Sequence, residues 1–451
     1  MLIMKVILGL FGLGIVVFIH ELGHFLAARL TGIDVEAFSI GWGNPILKKK
    51  IGEVEYRLGM FPIGGYCKMK GDTDYKEAWE NIVNGIKPDK RSFLGSSPAA
   101  RILVSFGGPL FNLAFAILLL SLIWGIGFEI NTLENRIVLA SEITGEIFPS
   151  DEAGLKTGDR IIEIAGTKTQ YFHEVQEIIT LNAERLLPVT IDRDGEIIHL
   201  SVRPVLDKAT GAGKIGVYFW IDPVIESVAE GGPAEIAGLQ TGDIIISVNG
   251  QLLNNSLDFI KILEGSPPSL AVEYSRGGLL YETLFTEENL SLGEANLGFS
   301  WRSVHYRTPR LSLPAAAAKG ASESWKTLLV SIASLRLLFK GIDLMQAVSG
   351  PVRITYMMGD LAAQGFGQSV ATGLRSMAEF LALISVALCV MNLLPLPILD
   401  GGMIILFTIE LIRRKPAHPK AITVFQTCGM IIIFGLMFFA VFGDIMYLAR
   451  R

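Results

Sequence analysis

Three residues near the amino terminus have the types and the spacing of a hydrolytic metal site. His20, Glu21 and His24 form an H-E-x-x-H motif. On an α-helix, positions i and i+4 lie on one face, so the two imidazoles can bind one metal ion. Glu21 lies beside them, where its carboxylate can accept a proton from a water molecule that the metal activates. A catalytic zinc usually has three protein ligands, so a third ligand must come from elsewhere in the chain.

The motif lies in a segment that is apolar enough to cross a membrane. Residues 7–30 exceed the roughly 20 residues that a spanning helix needs. An ionisable side chain at the centre of a bilayer costs about 2.5–3.5 kcal/mol on insertion scales. Three polar groups within one turn therefore predict a compensating partner, and a metal ion is such a partner. The alternative is a soluble helix in which the motif occurs by chance, and the apolar surroundings argue against it.

The third ligand is predicted far along the chain, beside a segment that prolines interrupt. Residues 392–402 read N-L-L-P-L-P-I-L-D-G-G, in which Pro395 and Pro397 each remove a backbone donor and bend the chain. Asp400 follows, and its carboxylate would complete a His–His–Asp set. The alternative role of Asp400 is to cap a helix that begins near Met403.

The composition indicates a membrane protein with several domains. The 451 residues are 50% hydrophobic and 18% charged, whereas a typical soluble domain has roughly 25% charged residues. The formal net charge of −5 gives no indication of nucleic-acid binding, and three cysteines do not form a disulfide framework. Four apolar stretches are predicted to span a bilayer. They are residues 7–30, 102–128, 380–399 and 421–442.

The connection between the first two spans is mixed and rich in glycine. Short strands are predicted at 35–42, 54–60 and 65–70, with glycine and proline turns between them. They suggest a small sheet beside the first span. Lys48, Lys49 and Lys50 contribute to a basic character, which predicts a cytoplasmic location by the positive-inside rule. In the second span, Gly107-Gly108-Pro109 predicts close packing of helices through small residues.

Residues 130–300 are soluble in character and contain an internal repeat. Residues 153–166 and 237–250 are identical at nine of fourteen positions, at an offset of 84, which predicts two copies of one small domain. The shared string resembles the bacterial PDZ domain, which binds peptides by adding a strand to a sheet edge. Upstream of the second string, Ile215, Gly216 and Val217 resemble the PDZ loop that holds a peptide carboxylate, and no comparable loop precedes the first string. The alternative is a pair of spacer domains that bind nothing.

The stretch after the repeat is predicted to be a linker and then an amphipathic helix. Residues 302–317 form the linker, which contains two prolines. Between 323 and 345, apolar residues recur on one helical face, with basic residues among them. This pattern is typical either of a helix on the membrane surface or of one packed on the spans. The basic loop 413–420 is predicted to be cytoplasmic. Four spans then put 130–376 on the opposite side of the membrane.

Together these motifs resemble the site-2 protease family of intramembrane zinc metalloproteases, in its bacterial branch with tandem PDZ domains. They are H-E-L-G-H, G-G-P-L-F-N at 107–112, the 392–402 segment and the repeat, in that order along the chain. The resemblance implies a multi-pass α-helical membrane protein with four transmembrane helices, a membrane-associated β-loop and two extracytoplasmic PDZ domains of α+β type. The implied divisions are 1–128 with the β-region 31–97, the PDZ domains 130–212 and 213–300, the linker and amphipathic region 301–376, and 377–451.

The resemblance also implies roles for individual residues. His20, His24 and Asp400 would hold one Zn²⁺ per chain, and Glu21 would be the catalytic base. Asn392, Pro395 and Pro397 would help to present the substrate. Asn112 is also predicted to be a substrate-binding residue. The sequence leaves two positions open for it, beside the motif helix or in a hydrogen bond to a neighbouring helix. Ile215, Gly216 and Val217 would bind peptide C-termini.

The implied activity is proteolysis within the bacterial inner membrane. Substrates would be single-span membrane proteins, of the anti-sigma-factor type after a prior extracytoplasmic cut, and signal-peptide remnants. The active site would lie toward the cytoplasm, the partners would include the lipid bilayer, and no nucleic acid is expected. The alternative is a non-catalytic, zinc-containing membrane scaffold that recruits partners through its PDZ domains. A structural zinc site normally has four protein ligands, and the sequence offers three.

Overall fold

The computed structural model describes residues 2–72, 84, 89–265, 269–286, 297–335 and 350–449. The chain divides into two compact units. The helical unit comprises Met1–Phe128 and Pro309–Arg451, and the repeat unit comprises Glu129–Thr308.

The described residues form helices and strands in both units. In chain order, the helices are α1 (Leu2–Thr31), α2 (Pro98–Ile126), α3 (Ser141–Thr144), α4 (Pro149–Glu152), α5 (Phe172–Leu181), α6 (Pro233–Ile236), α7 (Ser256–Glu264), α8 (Leu313–Leu335), α9 (Pro351–Gln368), α10 (Val370–Asn392), α11 (Asp400–Arg413) and α12 (Pro419–Ala449). The strands are β1 (Val35–Ile51), β2 (Val54–Met69), β3 (Glu129–Thr132), β4 (Ile137–Leu139), β5 (Arg160–Ile164), β6 (Thr167–Lys168), β7 (Leu187–Arg193), β8 (Glu196–Val202), β9 (Val205–Leu206), β10 (Gly213–Lys214), β11 (Val217–Phe219), β12 (Ile225–Val228), β13 (Ile244–Val248), β14 (Gln251–Leu252), β15 (Leu270–Arg276), β16 (Leu279–Phe285), β17 (Phe299–Trp301) and β18 (Val304–Arg307).

Among the residues that the structure describes, four helices of the helical unit are long and apolar enough to cross a membrane, as predicted. These candidate spans are Val6–Thr31, Pro98–Ile126, Val370–Asn392 and Lys420–Met446. The predicted bounds of the third span, 380–399, are wrong, because helix α10 begins ten residues earlier. Its first turns accommodate charge, since Arg375 and Glu379 form an ion pair of 2.8 Å one turn apart. The helix ends at Asn392, before the prolines of the next segment.

The strands predicted between the first two spans merge into two long, bent strands. Within this sheet, Ala37 lies opposite both Lys68 and Glu55, so the first half of β1 is flanked on both sides by segments of β2. Gly41 and Gly43 have φ of +83° and +90°, which lets β1 bend where the sequence suggested a turn. The separation into short strands at 35–42, 54–60 and 65–70 is therefore wrong, although the small sheet is present. Its core also includes Ala27 and Ala28 of α1.

The repeat unit contains two four-stranded sheets that have the same strand order. The first sheet is β6-β5-β7-β8 and the second is β14-β13-β15-β16. Each sheet covers its own hydrophobic core, one of which includes Ile161 and Ile191 and the other Ile245 and Val272. The internal repeat of the sequence is thus an internal repeat of structure.

The boundary predicted between the two copies, at 212/213, is wrong. Ile215 is buried in the core of the first copy, and β11 pairs with β4, opposing Val217 to Leu139. Residues 215–217 therefore belong to the first copy and not to the second. The prediction erred because each copy ends with a strand that returns to pair with its own first strand. A search upstream of each shared string consequently assigns this strand to the wrong copy.

The corresponding segment of the second copy is Leu297–Phe299. The Leu297 carbonyl accepts a hydrogen bond from the Ala234 N–H at 2.9 Å, as the Ile215 carbonyl does from the Ser150 N–H at 2.9 Å. Gly298 and Gly216 have φ of +79° and +80°. The Leu297–Phe299 loop is not evident from the sequence, because only its Leu-Gly pair resembles the corresponding Ile-Gly pair of the first copy.

The predicted linker 302–317 is shorter in the structure. Strand β18 pairs with β3, and helix α8 already begins at Leu313. Of the amphipathic helix predicted at 323–345, residues 336–345 lie outside the described residues. The described part of α8 packs against α2, where Trp124 donates a hydrogen bond to Glu323 at 2.8 Å. This favours a helix packed on the spans, with its buried face formed by Ala316, Gly320 and Ser324.

Candidate metal centre

Two elements that are distant in sequence bring three potential ligands together. On α1, the Nε2 atoms of His20 and His24 lie 3.2 Å apart, as their i, i+4 spacing predicts. Asp400 is the first residue of α11, and its carboxylate oxygens lie 3.3 Å from His20 Nε2 and 3.5 Å from His24 Nε2. Among the described residues, this is the one cluster of three or more histidine, cysteine or acidic side chains that could hold a metal ion.

The donor atoms of this cluster fit a zinc ion. Two imidazole nitrogens and one carboxylate oxygen form a mixed set that zinc accepts in catalytic sites. The Oδ2 atom of Asp400 is buried and accepts no hydrogen bond. A buried carboxylate oxygen without a hydrogen bond is costly unless a cation compensates it. Three protein ligands also leave a coordination position open, as catalysis requires.

Helix α2 orients the ring of His24. Its Nδ1 donates a hydrogen bond of 2.9 Å to the carbonyl of Val104. This contact places the proton on Nδ1 and leaves the lone pair of Nε2 pointing into the cluster. Such a bond to the far nitrogen is how proteins fix the tautomer of a metal-binding histidine. The role of Val104 is not visible in the sequence, because the contact uses a backbone carbonyl that every residue type has.

Asn112 holds the corresponding position beside His20. Its Nδ2 lies 3.3 Å from His20 Nδ1, while its Oδ1 is buried without a hydrogen-bond partner. Rotating the amide by 180° would let Oδ1 accept from an Nδ1–H, which would free the Nε2 lone pair for a metal. Asn112 is fully buried. The structure therefore does not support the predicted contact of Asn112 with substrate, since its amide faces the histidine ring.

Glycines allow α1 and α2 to approach closely enough for these contacts. A Cβ atom on Gly108 would lie 2.5 Å from His24 Nε2 and 2.7 Å from His20 Cε1. A Cβ atom on Gly107 would lie 2.6 Å from the carbonyl oxygen of Gly23. The close helix packing predicted for the Gly107-Gly108 pair is confirmed, and the pair also leaves room for the imidazoles.

Glu21 lies between α1 and the edge of β2. A Cβ atom on Gly65 would lie 3.1 Å from Glu21 Cγ. The 65–69 segment of β2 therefore contacts the residue that is predicted to be the catalytic base. Nothing in the sequence distinguished Gly65 from the turn glycines near it.

The segment that leads to Asp400 is irregular. Asn392 lies at its start, with Nδ2 3.5 Å from His20 Nε2. Ile398 has φ of +80°, a strained conformation for a β-branched residue. Pro397 packs against Gly429 of α12, where a Cβ atom would lie 2.3 Å from the proline Cβ. The structure thus brings Asn392 to the histidines, whereas Pro395 is exposed on the connecting segment.

An H-E-x-x-H helix long enough to cross a membrane, completed by a carboxylate from a second helix, defines a membrane-embedded zinc metalloprotease. The chain belongs to Peptidase family M50, the site-2 protease family, whose model matches residues 8–436. The match covers α1 from residue 8 onward and the whole of α11, and hence all three residues of the cluster.

Relatives over the full length agree with this class. A protein of Treponema pallidum that is named as a zinc metalloprotease is 35% identical, covering 98% of this chain and 99% of that protein. A protein of Borreliella burgdorferi with the same name is 31% identical, covering 98% of each chain. The regulator of sigma-E protease RseP of Escherichia coli is 29% identical, covering 96% of each chain. The chain is a zinc metalloprotease with membrane-spanning helices.

Proposed function

We propose that this protease cleaves the transmembrane segments of single-span membrane proteins in regulated intramembrane proteolysis. The observation that carries the proposal is the position of the His20–His24–Asp400 cluster, whose two histidines lie within a candidate membrane span. A hydrolytic centre at that depth acts on peptide bonds that enter the bilayer. One relative is named as a regulator of sigma-E protease, which supports anti-sigma-factor-type substrates trimmed beforehand outside the cytoplasm. Signal-peptide remnants are the second proposed substrate type.

In this proposal, His20, His24 and Asp400 hold one zinc ion. When bound there, zinc supplies a Lewis acid that activates water and polarises a peptide carbonyl. Glu21 accepts the proton of the attacking water and passes it to the leaving amine. The contact of Val104 with His24 supports these roles, because it leaves the Nε2 atom of His24 free for the metal. Asn112 would do the same for His20 once its amide is turned so that Oδ1 accepts from Nδ1–H.

The substrate must be unwound before it can be cleaved. A helical peptide bond is shielded by its own turn, and in lipid the freed backbone groups need new partners. The 65–69 edge of β2, which lies against Glu21, offers such partners by strand pairing. Asn392, at 3.5 Å from His20 Nε2, is placed to bond a freed carbonyl. Pro395 and Pro397 keep the segment before Asp400 out of helical conformation.

The proposed orientation follows from charge. The β1–β2 region and the 413–420 loop are basic, so both face the cytoplasm of a bacterial inner membrane. The repeat unit then lies outside the cytoplasm, between the second and third spans. We assign its two copies as PDZ domains, which exclude substrates with bulky extracytoplasmic domains and bind peptide C-termini. The four-stranded sheets of identical order support a tandem pair.

The test is cleavage of tagged single-span proteins by the full-length chain and its Glu21→Gln variant in proteoliposomes. We expect the variant to retain zinc but to lose cleavage by at least about a hundredfold, because the general base is removed. Glu177→Gln, an equal change at an exposed position of α5, should cleave like the wild type. Turnover by Glu21→Gln would refute the assigned base. Absence of cleavage by the wild type for every single-span candidate would favour the scaffold.

A further inference from the structure

A buried ion pair joins the two helices that carry the metal centre. The Nη1 atom of Arg101, near the start of α2, lies 2.8 Å from Oε2 of Glu410, near the end of α11. The two residues are only 7% and 4% exposed. The other carboxylate oxygen of Glu410 accepts a hydrogen bond of 2.8 Å from the Ala417 N–H. The guanidinium of Arg101 stacks on the ring of Phe407, 4.6 Å from its centroid.

Stability alone does not account for this arrangement. Removing two charges from water is expensive, and apolar residues of similar volume often serve as well or better in such places. An ion pair also restricts geometry, since the two charged groups stay in contact only in one relative position of the two helices.

The pair connects α11 to the part of α2 that orients His24. Arg101 precedes Val104, the acceptor for His24, by three residues and therefore lies on the same helical face. Glu410 follows Asp400 by ten residues, about 15 Å along the axis of α11. At its other end α11 is held by Gly402, where a Cβ atom would lie 2.2 Å from the Leu396 carbonyl oxygen.

We propose that the Arg101–Glu410 ion pair positions the metal centre. It fixes α11 along and around its axis on α2, so that the Asp400 carboxylate meets the imidazoles that α2 has oriented. Arg101 and Glu410 are positioning residues, since neither contacts the ligand atoms. The inference deepens the proposed function and rests on its ligand set, His20, His24 and Asp400.

The experiment measures zinc affinity of the full-length protein in detergent by competition with a chelator, together with thermal unfolding and the kcat and KM of cleavage. Glu410→Gln and Arg101→Met each break the pair. We expect zinc affinity to fall about tenfold in each, as for other residues that support metal ligands, and kcat to fall more than KM rises. The matched control is Glu379→Gln, which breaks an ion pair within the single helix α10.

A double variant separates positioning from stability. Arg101→Met with Glu410→Gln removes both charges and keeps an amide oxygen that can accept from the Ala417 N–H. Thermal stability should therefore be kept even if a single variant fails to fold. The zinc affinity of the double variant should still be about tenfold weaker than that of the wild type. Wild-type zinc affinity and kcat in the double variant would overturn the positioning role.

A third comparison distinguishes this inference from the ligand assignment. Asp400→Ala should lose zinc more severely than either pair variant. If Asp400→Ala binds zinc as the wild type does, the proposed ligand set is wrong and the positioning role falls with it. If Asp400→Ala loses zinc while the folded pair variants do not, only the positioning role is refuted.

Discussion

At the metal centre, each imidazole is held by α2 at the nitrogen that faces away from Asp400. Val104 provides a backbone carbonyl to His24, and Asn112 provides a side-chain amide to His20. A substitution of Val104 keeps its backbone carbonyl, whereas a substitution of Asn112 removes its side-chain amide. Asn112 is therefore the residue through which the orientation of the site can be tested.

Replacing Asn112 with leucine should weaken zinc binding. The variant keeps the volume of the side chain but leaves the Nδ1 atom of His20 without a partner, so the Nε2 lone pair is no longer favoured. We expect zinc affinity to fall by about 10–100-fold, measured by chelator competition on the full-length protein. Ser385→Ala is the control, because Ser385 donates to the Asn112 backbone carbonyl at 3.0 Å and does not hold the ring. Equal affinity in Asn112→Leu and the wild type would show that Asn112 does not orient His20.

The sequence predicted the clustered residues better than it predicted what surrounds them. His20, His24 and Asp400 were found because a rigid helical spacing and a carboxylate beside an apolar segment are visible in the residue types. Val104 was not found, since its role belongs to the backbone. Asn112 was singled out for substrate binding, because the residue type does not reveal that its buried amide lies against the His20 ring.

Among the elements of the helical unit, α12 is joined to α9 by one buried carboxylate. Asp444 is fully buried and accepts hydrogen bonds from the backbone N–H groups of Gly350, Val352 and Arg353 at 2.9, 3.0 and 3.0 Å. These donors belong to the first turn of α9, which has no intrahelical acceptors for them. A carboxylate in this place also interacts favourably with the positive end of the helix dipole.

Replacing Asp444 with alanine should destabilise the packing of α9 on α12. Buried backbone donors would lose their acceptor, and we expect a loss of about 1–3 kcal/mol in the free energy of unfolding. Chemical denaturation of the purified protein in detergent is the measurement. Gln364→Ala is the control within α9, since Gln364 is exposed and its side chain donates to Asp360 one turn away. A variant as stable as the wild type would show that water or another group replaces the carboxylate.

Predicted element types were more accurate than predicted element ends. The existence of four spans follows from apolar length, which one sequence reveals. The start of α10 does not follow from apolar length, because Arg375 and Glu379 reduce the apolar character of its first turns. In the structure these two residues form an ion pair, which makes the charges tolerable there. Similarly, Gly41 and Gly43 indicated a turn, whereas in the structure they bend a strand that continues past them.

At the scale of the whole molecule, the two copies of the repeat differ at their glycine loops. In the first copy, Phe148 covers the loop, since a Cβ atom on Gly216 would lie 2.2 Å from the Phe148 Cβ. In the second copy, Gly232 occupies the position that corresponds to Phe148, and a Cβ atom on Gly298 would lie 3.2 Å from its Cα. The repeat could be predicted from sequence identity, but this difference could not, because it depends on which strand closes each copy.

If the copies are PDZ domains as we propose, peptide binding should depend on the second loop. We expect the full-length protein to bind a labelled peptide with a free carboxylate, and Gly298→Ala to weaken that binding. Alanine is strained at φ of +79°, and its Cβ would press on Gly232, so the loop backbone would shift. Gly216→Ala introduces the same strain at φ of +80° and also presses on Phe148 in the covered loop. We expect it to disturb the first copy without changing peptide binding. Fluorescence anisotropy of peptides with free and amidated C-termini is the measurement.

Loss of binding in Gly216→Ala alone would assign peptide recognition to the first copy. If the wild type and both variants bind the peptide equally, or if the amidated peptide binds as well as the free one, neither loop holds a carboxylate. Size exclusion would then remain as the role of the two copies.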